Sequence, residues 1–444
     1  MQMLKKTIMK TLLVLLLLVP MMSFGQPTIE WETTFGGSDS TYSDAGYSVK
    51  QTWDGGYIVA GSTDRQLLGY YNSDGFLIKT DGSGQEEWSQ TYGGDNDDVI
   101  RDVQQTSDGG YILVGSTGSQ GLYYQVYLIK TDGYGQEEWS QTFGGGGEDL
   151  AYSVQQTSDG GYIIVGQYEH WGINDYDVWL IKTNGAGQEE WNQKIGGPNK
   201  DVGFFVQQTT DGSYIVLGET RSFGNGNTDI YLIKVNSNGN IMWTQFFGTG
   251  GEESGYSLEE TLDGGYIICG ESSGTQQVQS AYMIKTDESG IEEWSILFEQ
   301  TYMSSLSSVK QTANGGFIAA GFLNTNNNWS DIYLVETDEN GIEQWSQTFG
   351  GLEPERAYSV QQTIDGGYIV TGKTKSFGSN EYDIYLLKTM SLVTSTNSII
   401  TSSSNKKLIK IVDLLGRETP FKPNIPLLYI YNDGTVERKM IIKE

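Results

Sequence analysis

Acidic side chains recur at two fixed positions in this sequence and are its most regular chemical feature. One series stands five residues before the Val or Leu of a repeated Tyr-Ser-Val motif and comprises Asp44, Asp98, Asp149, Asp201, Glu253 and Glu355. A second series precedes a repeated Tyr-Leu-Ile-Lys motif and comprises Asp74, Asp177, Asp229, Asp331 and Asp383. Because carboxylates and turn carbonyls suit Ca²⁺, the first series is a candidate metal site. The alternative is that the carboxylates cap turns by accepting backbone N–H bonds, since no dense Asp-x-Asp-x-Asp-Gly loop occurs.

Other catalytic chemistry has little support in the sequence. The single histidine, His170, argues against His-based metal sites and a Ser/His/Asp triad. The single cysteine, Cys269, stands where other repeats carry small or apolar residues, which indicates packing. A glycosidase needs two carboxylates with different pKa values, whereas acids at equivalent repeat positions have near-identical surroundings. We therefore predict no catalytic residues and no cofactor other than Ca²⁺; the sequence does not decide whether the chain is an enzyme, and it favours a non-catalytic role.

Aromatic residues in variable loops supply a second candidate site. The segments 62–73, 116–125, 167–176, 322–330 and 373–382 differ freely between repeats, whereas the other turns hardly vary. Aromatic rings among Asn, Asp and Gln suit binding to sugar rings or to a protein surface. The alternative is that these loops vary without a binding function and that their aromatic side chains are half-buried. The predicted binding residues are Tyr70, Tyr71, Tyr123, Tyr124, Trp171, Trp329 and Tyr382.

A repeat of about 50 residues sets the positions of all these side chains. Its phrase "YLIKTDGYGQEEWSQTFGG" (127–145) contains a tryptophan that recurs at Trp31, Trp88, Trp139, Trp191, Trp243, Trp294 and Trp345. The third copy shows four short apolar or alternating segments bounded by Gly, Asp and Asn turns, which predicts strands at 150–157, 161–167, 176–183 and 189–196. Seven such units predict an all-β chain whose residues 26–390 form a seven-bladed β-propeller of four-stranded antiparallel blades.

The repeat is split between the two ends of the propeller sequence. Its second half opens the region, at 29–35, and its first half closes it, at 385–389. We therefore expect the N-terminal strand to complete the last blade and close the ring, because an open array would need capping repeats. In such a meander the variable loops share one face with the connections that carry the first acidic series, and we predict that this face binds the ligand.

Charge and the N-terminal residues bear on partners and compartment. The chain has a net charge of −29, to which residues 1–25 and 391–444 each contribute +3. Residues 26–390 therefore carry a net charge of −35. Such a body repels nucleic acid and anionic lipid. Three lysines precede the apolar run Thr11–Met22, which predicts a signal peptide at 1–25. No lipobox cysteine is present and no later segment is long enough to cross a bilayer, so we expect export without a lipid anchor or membrane span.

Two resemblances extend this interpretation. The repeat phrase resembles the tryptophan-docking strand pair of quinoprotein-like propellers, and the unit over 29–389 resembles secreted bacterial repeat proteins. Quinoprotein dehydrogenases have eight blades and a cysteine pair, so the resemblance does not imply their cofactor. After a Ser/Thr/Asn linker at 391–404, residues 405–444 closely resemble the C-terminal (type A) sorting domain of the Bacteroidetes type IX secretion system, through Val412–Glu418, Pro426–Tyr431 and Asp433–Val436.

The sorting-domain resemblance implies a small β domain, the type IX secretion machinery as partner, and delivery to the outer cell surface or the medium. The expected function is a secreted or cell-surface binding or adhesion module whose ligand is a carbohydrate or a surface protein. The alternatives are an extracellular polysaccharide-acting enzyme of the glycoside hydrolase kind, or its accessory subunit, and a purely structural surface protein.

Overall fold

The repeats fold as a ring of four-stranded antiparallel sheets. The structure, a computed structural model, describes residues 26–36, 43–67, 70–170, 175–274, 278–298, 301–325, 329–379 and 381–391, and three strands between 408 and 439. The predicted signal peptide (1–25) and residues 392–404 of the predicted linker lie outside the described residues. The chain divides after Leu392 into two compact units. Within the described residues the regular elements are strands, and no helix long and apolar enough to span a bilayer occurs among them.

The first four blades follow the chain in order. Blade 1 contains β2 (Ala45–Gln51), β3 (Tyr57–Leu67), β4 (Tyr70–Thr80) and β5 (Glu86–Tyr92). Blade 2 contains β6 (Asp98–Gln105), β7 (Tyr111–Thr117), β8 (Gln125–Thr131) and β9 (Glu137–Phe143). Blade 3 contains β10 (Leu150–Gln156), β11 (Tyr162–His170), β12 (Asp175–Thr183) and β13 (Glu189–Ile195). Blade 4 contains β14 (Asp201–Gln208), β15 (Tyr214–Thr220), β16 (Asp229–Val235) and β17 (Ile241–Phe247).

The last three blades include the one that joins the two ends of the propeller. Blade 5 contains β18 (Glu253–Glu260), β19 (Tyr266–Ser272), β20 (Ser280–Thr286) and β21 (Glu292–Phe298). Blade 6 contains β22 (Ser304–Gln311), β23 (Phe317–Asn324), β24 (Ser330–Thr337) and β25 (Glu343–Phe349). Blade 7 contains β26 (Glu355–Gln362), β27 (Tyr368–Thr374), β28 (Asp383–Thr389) and β1 (Ile29–Phe35). The predicted seven-bladed propeller is thus confirmed.

Each blade packs on the next through the repeated tryptophan. The Trp139 ring of blade 2 and the Tyr162 ring of blade 3 have centroids 5.9 Å apart. It also covers Gly187, in the turn between β12 and β13, where an added Cβ would come within 2.5 Å of the indole. Gly187 has a φ of 74°, so this turn requires glycine for its backbone and for the space that the indole fills. The equivalent tryptophans make the same ring contact at the other junctions, so they are blade-to-blade packing residues.

The N-terminal strand closes the ring as expected. Strand β1 pairs antiparallel with β28, with Thr34 opposite Tyr385. Beyond the strand, the Met390 N–H donates to the Thr28 carbonyl at 2.8 Å. Near the channel, Gln51 of blade 1 accepts a hydrogen bond at 3.0 Å from the Ile364 N–H of blade 7. The same bond between the corresponding positions links the other neighbouring blades, so the junction of blades 7 and 1 is built like the rest.

A buried lysine anchors the turns of six blades. In blade 3, Lys182 is almost wholly buried and its ammonium lies 3.0 Å from Asp159 and 2.9 Å from Glu190. Blade 6 reverses the charge: Glu336 replaces the lysine and accepts hydrogen bonds from Trp345 Nε1 at 2.7 Å and the Tyr368 hydroxyl at 2.8 Å. The buried charge is paired or hydrogen-bonded in either case, as burial requires.

The second unit contributes one small sheet to the described residues. It has the order β29 (Leu408–Val412), β30 (Leu427–Tyr431) and β31 (Val436–Lys439), and both pairings are antiparallel. These strands lie within the predicted sorting domain at 405–444, whose other residues lie outside the described ones.

Candidate functional site

The predicted aromatic residues all lie between the second and third strands of their blades or at the ends of those strands, and of those whose side chains are described, Tyr124 lines a pocket. These loops and the connections between blades form one face of the propeller, here named the upper face. Tyr123 and Trp329 are each 43% exposed. Tyr382 is half-buried beneath the Lys373 ammonium, 4.3 Å from its ring centroid. Tyr124 is half-buried and lines the pocket. The backbones of Tyr70 and Tyr71 begin β4, their side chains are outside the description, and Trp171 lies outside the described residues.

The pocket opens on the upper face across blades 1, 2 and 3. It encloses about 440 Å³, and its lining includes Asp64, Asn72, Asp97, Arg101, Tyr124 and Glu148. Three carboxylates and one guanidinium thus face a space of a size that suits a small ligand. Hydrogen-bond donors and acceptors both line it, with one aromatic ring at its wall.

Asp97 fixes the wall of this pocket. Its carboxylate accepts hydrogen bonds from the Tyr124 hydroxyl at 3.1 Å and from the Ser73 N–H at 2.9 Å. Burial, together with the charge of Asp97, raises the pKa of Tyr124 to about 12. Tyr124 therefore stays protonated at neutral pH and holds its hydroxyl as a donor toward the carboxylate.

Asp64 also lines this pocket and is half-buried. Its carboxylate accepts a hydrogen bond from the Ser43 N–H at 3.1 Å. Burial raises the pKa of Asp64 above its ordinary value, and the charge of Asp97 adds to that increase. The charge of Asp97 thus acts on the carboxyl group of Asp64.

Arg101 joins the pocket to the central channel. In the other blades its position is occupied by Tyr, Phe or Ser. These side chains line a cavity of about 110 Å³ in the channel. The Arg101 guanidinium stacks 4.4 Å from the Tyr47 ring centroid, while Tyr47 lies 5.3 Å from Tyr358 in blade 7. Aromatic side chains therefore form much of the channel wall at this level, and Arg101 shares it with Lys50 and Lys310.

Sequence reasoning missed both Asp97 and Arg101. Asp97 is adjacent to Asp98 but does not belong to the repeated acidic series, so the repeat pattern did not identify it. Arg101 breaks the repeated Tyr-Ser-Val motif, and this departure is the signal that could have identified it. Departures from the repeat mark the pocket better than the repeat itself does.

The first acidic series lies buried at the blade junctions and not on the surface. Asp44 is 2% exposed and the other five acids are fully buried. Several cap the turn that follows the outer strand: the Gly197 N–H donates to Asp201 at 2.8 Å and the Gly351 N–H donates to Glu355 at 2.9 Å. No group of three or more His, Cys, Asp or Glu side chains that could hold a metal ion occurs among the described residues.

The single histidine and cysteine lie apart from the pocket. His170 Nε2 is 2.7 Å from Asp177 in blade 3. Cys269 is fully buried in the core between blades 5 and 6, and burial raises the pKa of its thiol far above the usual range. Neither residue lines the pocket.

Comparison with solved structures places the chain among β-propellers. The WD40 domain of Neurospora crassa Pan2 superposes with a TM-score of 0.54 at 11% identity, over 83% of this chain and 97% of that domain. A puromycin hydrolase superposes with a TM-score of 0.50 at 14% identity, over 88% of this chain and 59% of the hydrolase. The sequence matches no protein-family model and no curated protein. Likenesses at these identities show the shared propeller fold alone, and the chain is a seven-bladed β-propeller.

Proposed function

We propose that this chain is an exported binding module that takes a carbohydrate in the pocket between blades 1, 2 and 3. The observation that carries the proposal is the convergence of Arg101, Asn72, Tyr124 and the carboxylates on one cavity of about 440 Å³. Neighbouring hydroxyl groups of a sugar both donate and accept, and the carboxylate, amide and guanidinium groups of the pocket can satisfy both roles. Three carboxylates against one arginine favour a neutral or cationic sugar over an anionic one, because like charges repel.

The proposed ligand class is tested on a polysaccharide and glycan array with the labelled mature protein. Wild type should bind a subset of neutral glycans, and Arg101→Ala and Tyr124→Phe should each weaken that binding. Tyr134→Ala is the matched control, because Tyr134 is 74% exposed in a turn on the opposite face. Equal binding by all variants would reject this pocket. Binding to a surface protein instead of glycans would reject the ligand class.

Export rests on sequence features. The predicted signal peptide at 1–25 and the resemblance of 405–444 to a sorting domain support passage to the outer surface or the medium by the type IX machinery. Fusion of residues 391–444 to a periplasmic reporter, in a host with that machinery, should deliver the reporter outside the cell. A reporter that stays in the periplasm would contradict this part of the proposal.

Hydrolysis of a polysaccharide is a second candidate, and one observation favours it. Asp64, whose pKa is raised by burial and by the charge of Asp97, lines the same pocket as Asp97. A carboxylic acid with a raised pKa and a second carboxylate in one pocket form the kind of pair that acid and base catalysis of glycoside cleavage uses. Release of reducing ends that Asp64→Asn and Asp97→Asn both abolish would establish the enzyme; binding without release would leave the binding module.

A further inference from the structure

Carboxylates from adjacent blades meet inside five of the seven blade junctions. At the junction of blades 4 and 5, Asp229 Oδ1 and Glu253 Oε2 lie 1.8 and 3.1 Å from the position that a Cβ would occupy at Gly248. The two oxygens are therefore no farther apart than the sum of these distances. The equivalent glycines Gly36, Gly93, Gly196 and Gly350 lie between four further pairs, which are Asp44 with Asp383, Asp74 with Asp98, Asp177 with Asp201, and Asp331 with Glu355.

These pairs combine one acid of each series, which the sequence had treated separately. The first-series acid lies at the start of the inner strand of one blade, and the second-series acid lies in the first half of the third strand of the preceding blade. The glycine at the end of the outer strand leaves the space into which both carboxylates point. Each pair, named here a junction pair, thus bridges two blades.

The junction pair of Asp229 and Glu253 lacks a compensating positive charge. Asp229 is 1% exposed and Glu253 is fully buried. Glu253 Oε1 accepts hydrogen bonds from Thr249 and Ser272, but its Oε2, which faces Asp229, has no donor among the described residues. Asp201 is also fully buried, and its Oδ1 has no donor in that part of the chain. No ion pair with a described Lys or Arg involves these three acids.

This arrangement differs from the other buried charges in the propeller. Lys182, which is also buried, has carboxylates at 2.9 and 3.0 Å. Two buried carboxylates without a cation are costly, because each loses its hydration and each repels the other. The mutual influence is visible at Asp331, whose pKa is raised by burial and by the charge of Glu355.

Two junctions lack a carboxylate pair, and one of them has lost both acids and the glycine. Between blades 5 and 6 the two acids are replaced by Ser280 and Ser304, and the glycine is replaced by Glu299, whose side chain lies outside the described residues. Ser304 Oγ there accepts a hydrogen bond from the Ala281 N–H at 2.9 Å. All three positions differ there, whereas between blades 2 and 3 Gln125 replaces only the second-series acid and Asp149 and Gly144 are retained.

We propose that the junction pairs are binding sites for a divalent, oxygen-preferring cation of the Ca²⁺ type. Two carboxylates neutralise such an ion, and carbonyl oxygens and waters complete its shell of six to eight oxygens. The donors are all oxygen, which selects Ca²⁺ over metals that prefer nitrogen and sulfur ligands. A cation held there links adjacent blades, so its binding stabilises the ring. This inference does not depend on the carbohydrate pocket.

The test measures Ca²⁺ binding to mature protein stripped with EDTA. Equilibrium dialysis should give saturable binding that approaches five ions per chain, and Ca²⁺ should raise Tm more than NaCl of equal ionic strength. Glu253→Gln should lower the number bound by one. Glu288→Gln, which removes an exposed carboxylate elsewhere in blade 5, should leave it unchanged. Should Glu253→Gln fail to fold, Asp201→Asn tests another junction in the same way.

Two results would overturn the proposal. Dialysis that shows no saturable binding rejects the sites outright. The second result is a Tm that does not change with Ca²⁺ but rises as pH falls from 8 to 5 and rises in Glu253→Gln. It would show that each pair shares a proton and does not bind a cation.

Discussion

Lys388 and Glu30 form an ion pair of 3.1 Å between the last and the first strand of the propeller. They are 358 positions apart in the sequence. The same ammonium lies 2.9 Å from Asp365, so it repeats in blade 7 the contacts that Lys182 makes in blade 3. The split blade therefore has the polar anchor of a continuous one.

Removal of the N-terminal strand should open the ring. Deletion of residues 26–36 takes β1 from blade 7 and uncovers Tyr385, which is 1% exposed in the closed ring. We expect the free energy of unfolding to fall by more than about 3 kcal/mol, the cost of one large core truncation. Urea unfolding followed by tryptophan fluorescence measures this.

A circular permutant is the control for that deletion. It joins residue 390 to residue 28 through a glycine-containing turn and opens the chain in the turn Asp132–Gln136. All strands of both blades are retained, so its stability should match wild type within about 1 kcal/mol, as for changes in exposed loops. A permutant as unstable as the deletion variant would show that loss of β1 from blade 7 does not explain the lower free energy of unfolding.

The reversed charge of blade 6 predicts a coupled effect. Glu336→Lys removes the acceptor of Trp345 and Tyr368 and should cost about 1–3 kcal/mol for each donor left unpaired. Adding Asn314→Asp and Gln344→Glu restores the partners that the other lysines have and should recover most of that loss. Thermal unfolding of the single and triple variants checks it; additive effects without recovery would contradict the pairing.

Acid should weaken the lysine anchors. Burial alone would raise the pKa of Asp159, but hydrogen bonds from Thr157, the Gly161 N–H and Lys182 outweigh it and hold the pKa at about 2. A carboxyl with a folded pKa below its unfolded value stabilises the fold above the unfolded pKa, near 4, and loses that contribution as pH falls toward 2. Tm measured from pH 5 to pH 2 should therefore fall less steeply in Asp159→Asn than in wild type. Parallel curves would contradict this.

Two glycines with similar backbones should respond differently to alanine. Gly160 (φ 84°) has no atom within 4 Å of an added Cβ, whereas Gly187 (φ 74°) has the Trp139 ring at 2.5 Å. Gly160→Ala should cost about 1–2 kcal/mol for the left-handed backbone alone. Gly187→Ala should cost clearly more, because the indole must also move. Equal losses in urea unfolding would show that the indole contributes nothing to the turn.

The fold was predictable because each repeat carries the same information seven times. The expected strand at 150–157 ends one residue earlier, at Gln156, and that at 161–167 extends to His170. The second of these strands, β11, is longer than expected because its pairing with β12 continues beyond the sequence pattern, as far as Asp175 opposite His170. Turns, tryptophans and closure follow from local chemistry and from the need to bury both faces of a blade.

The candidate site was less predictable, because it depends on what differs between repeats and on contacts across junctions. Tyr124 was identified from its loop, but Arg101 and Asp97 were not, since neither belongs to a repeated series. The two acidic series were each seen, yet their meeting at Gly248 required the path of the chain from one blade to the next. The metal prediction for the first series stays a prediction until Ca²⁺ binding is measured.

Glycan-array binding by wild type and Arg101→Ala tests the proposed function most directly. The account predicts that wild type binds neutral glycans and that Arg101→Ala loses at least about tenfold in affinity, the size of one charge-assisted contact. Unchanged glycan binding by Arg101→Ala, with Tyr134→Ala as reference, would contradict it.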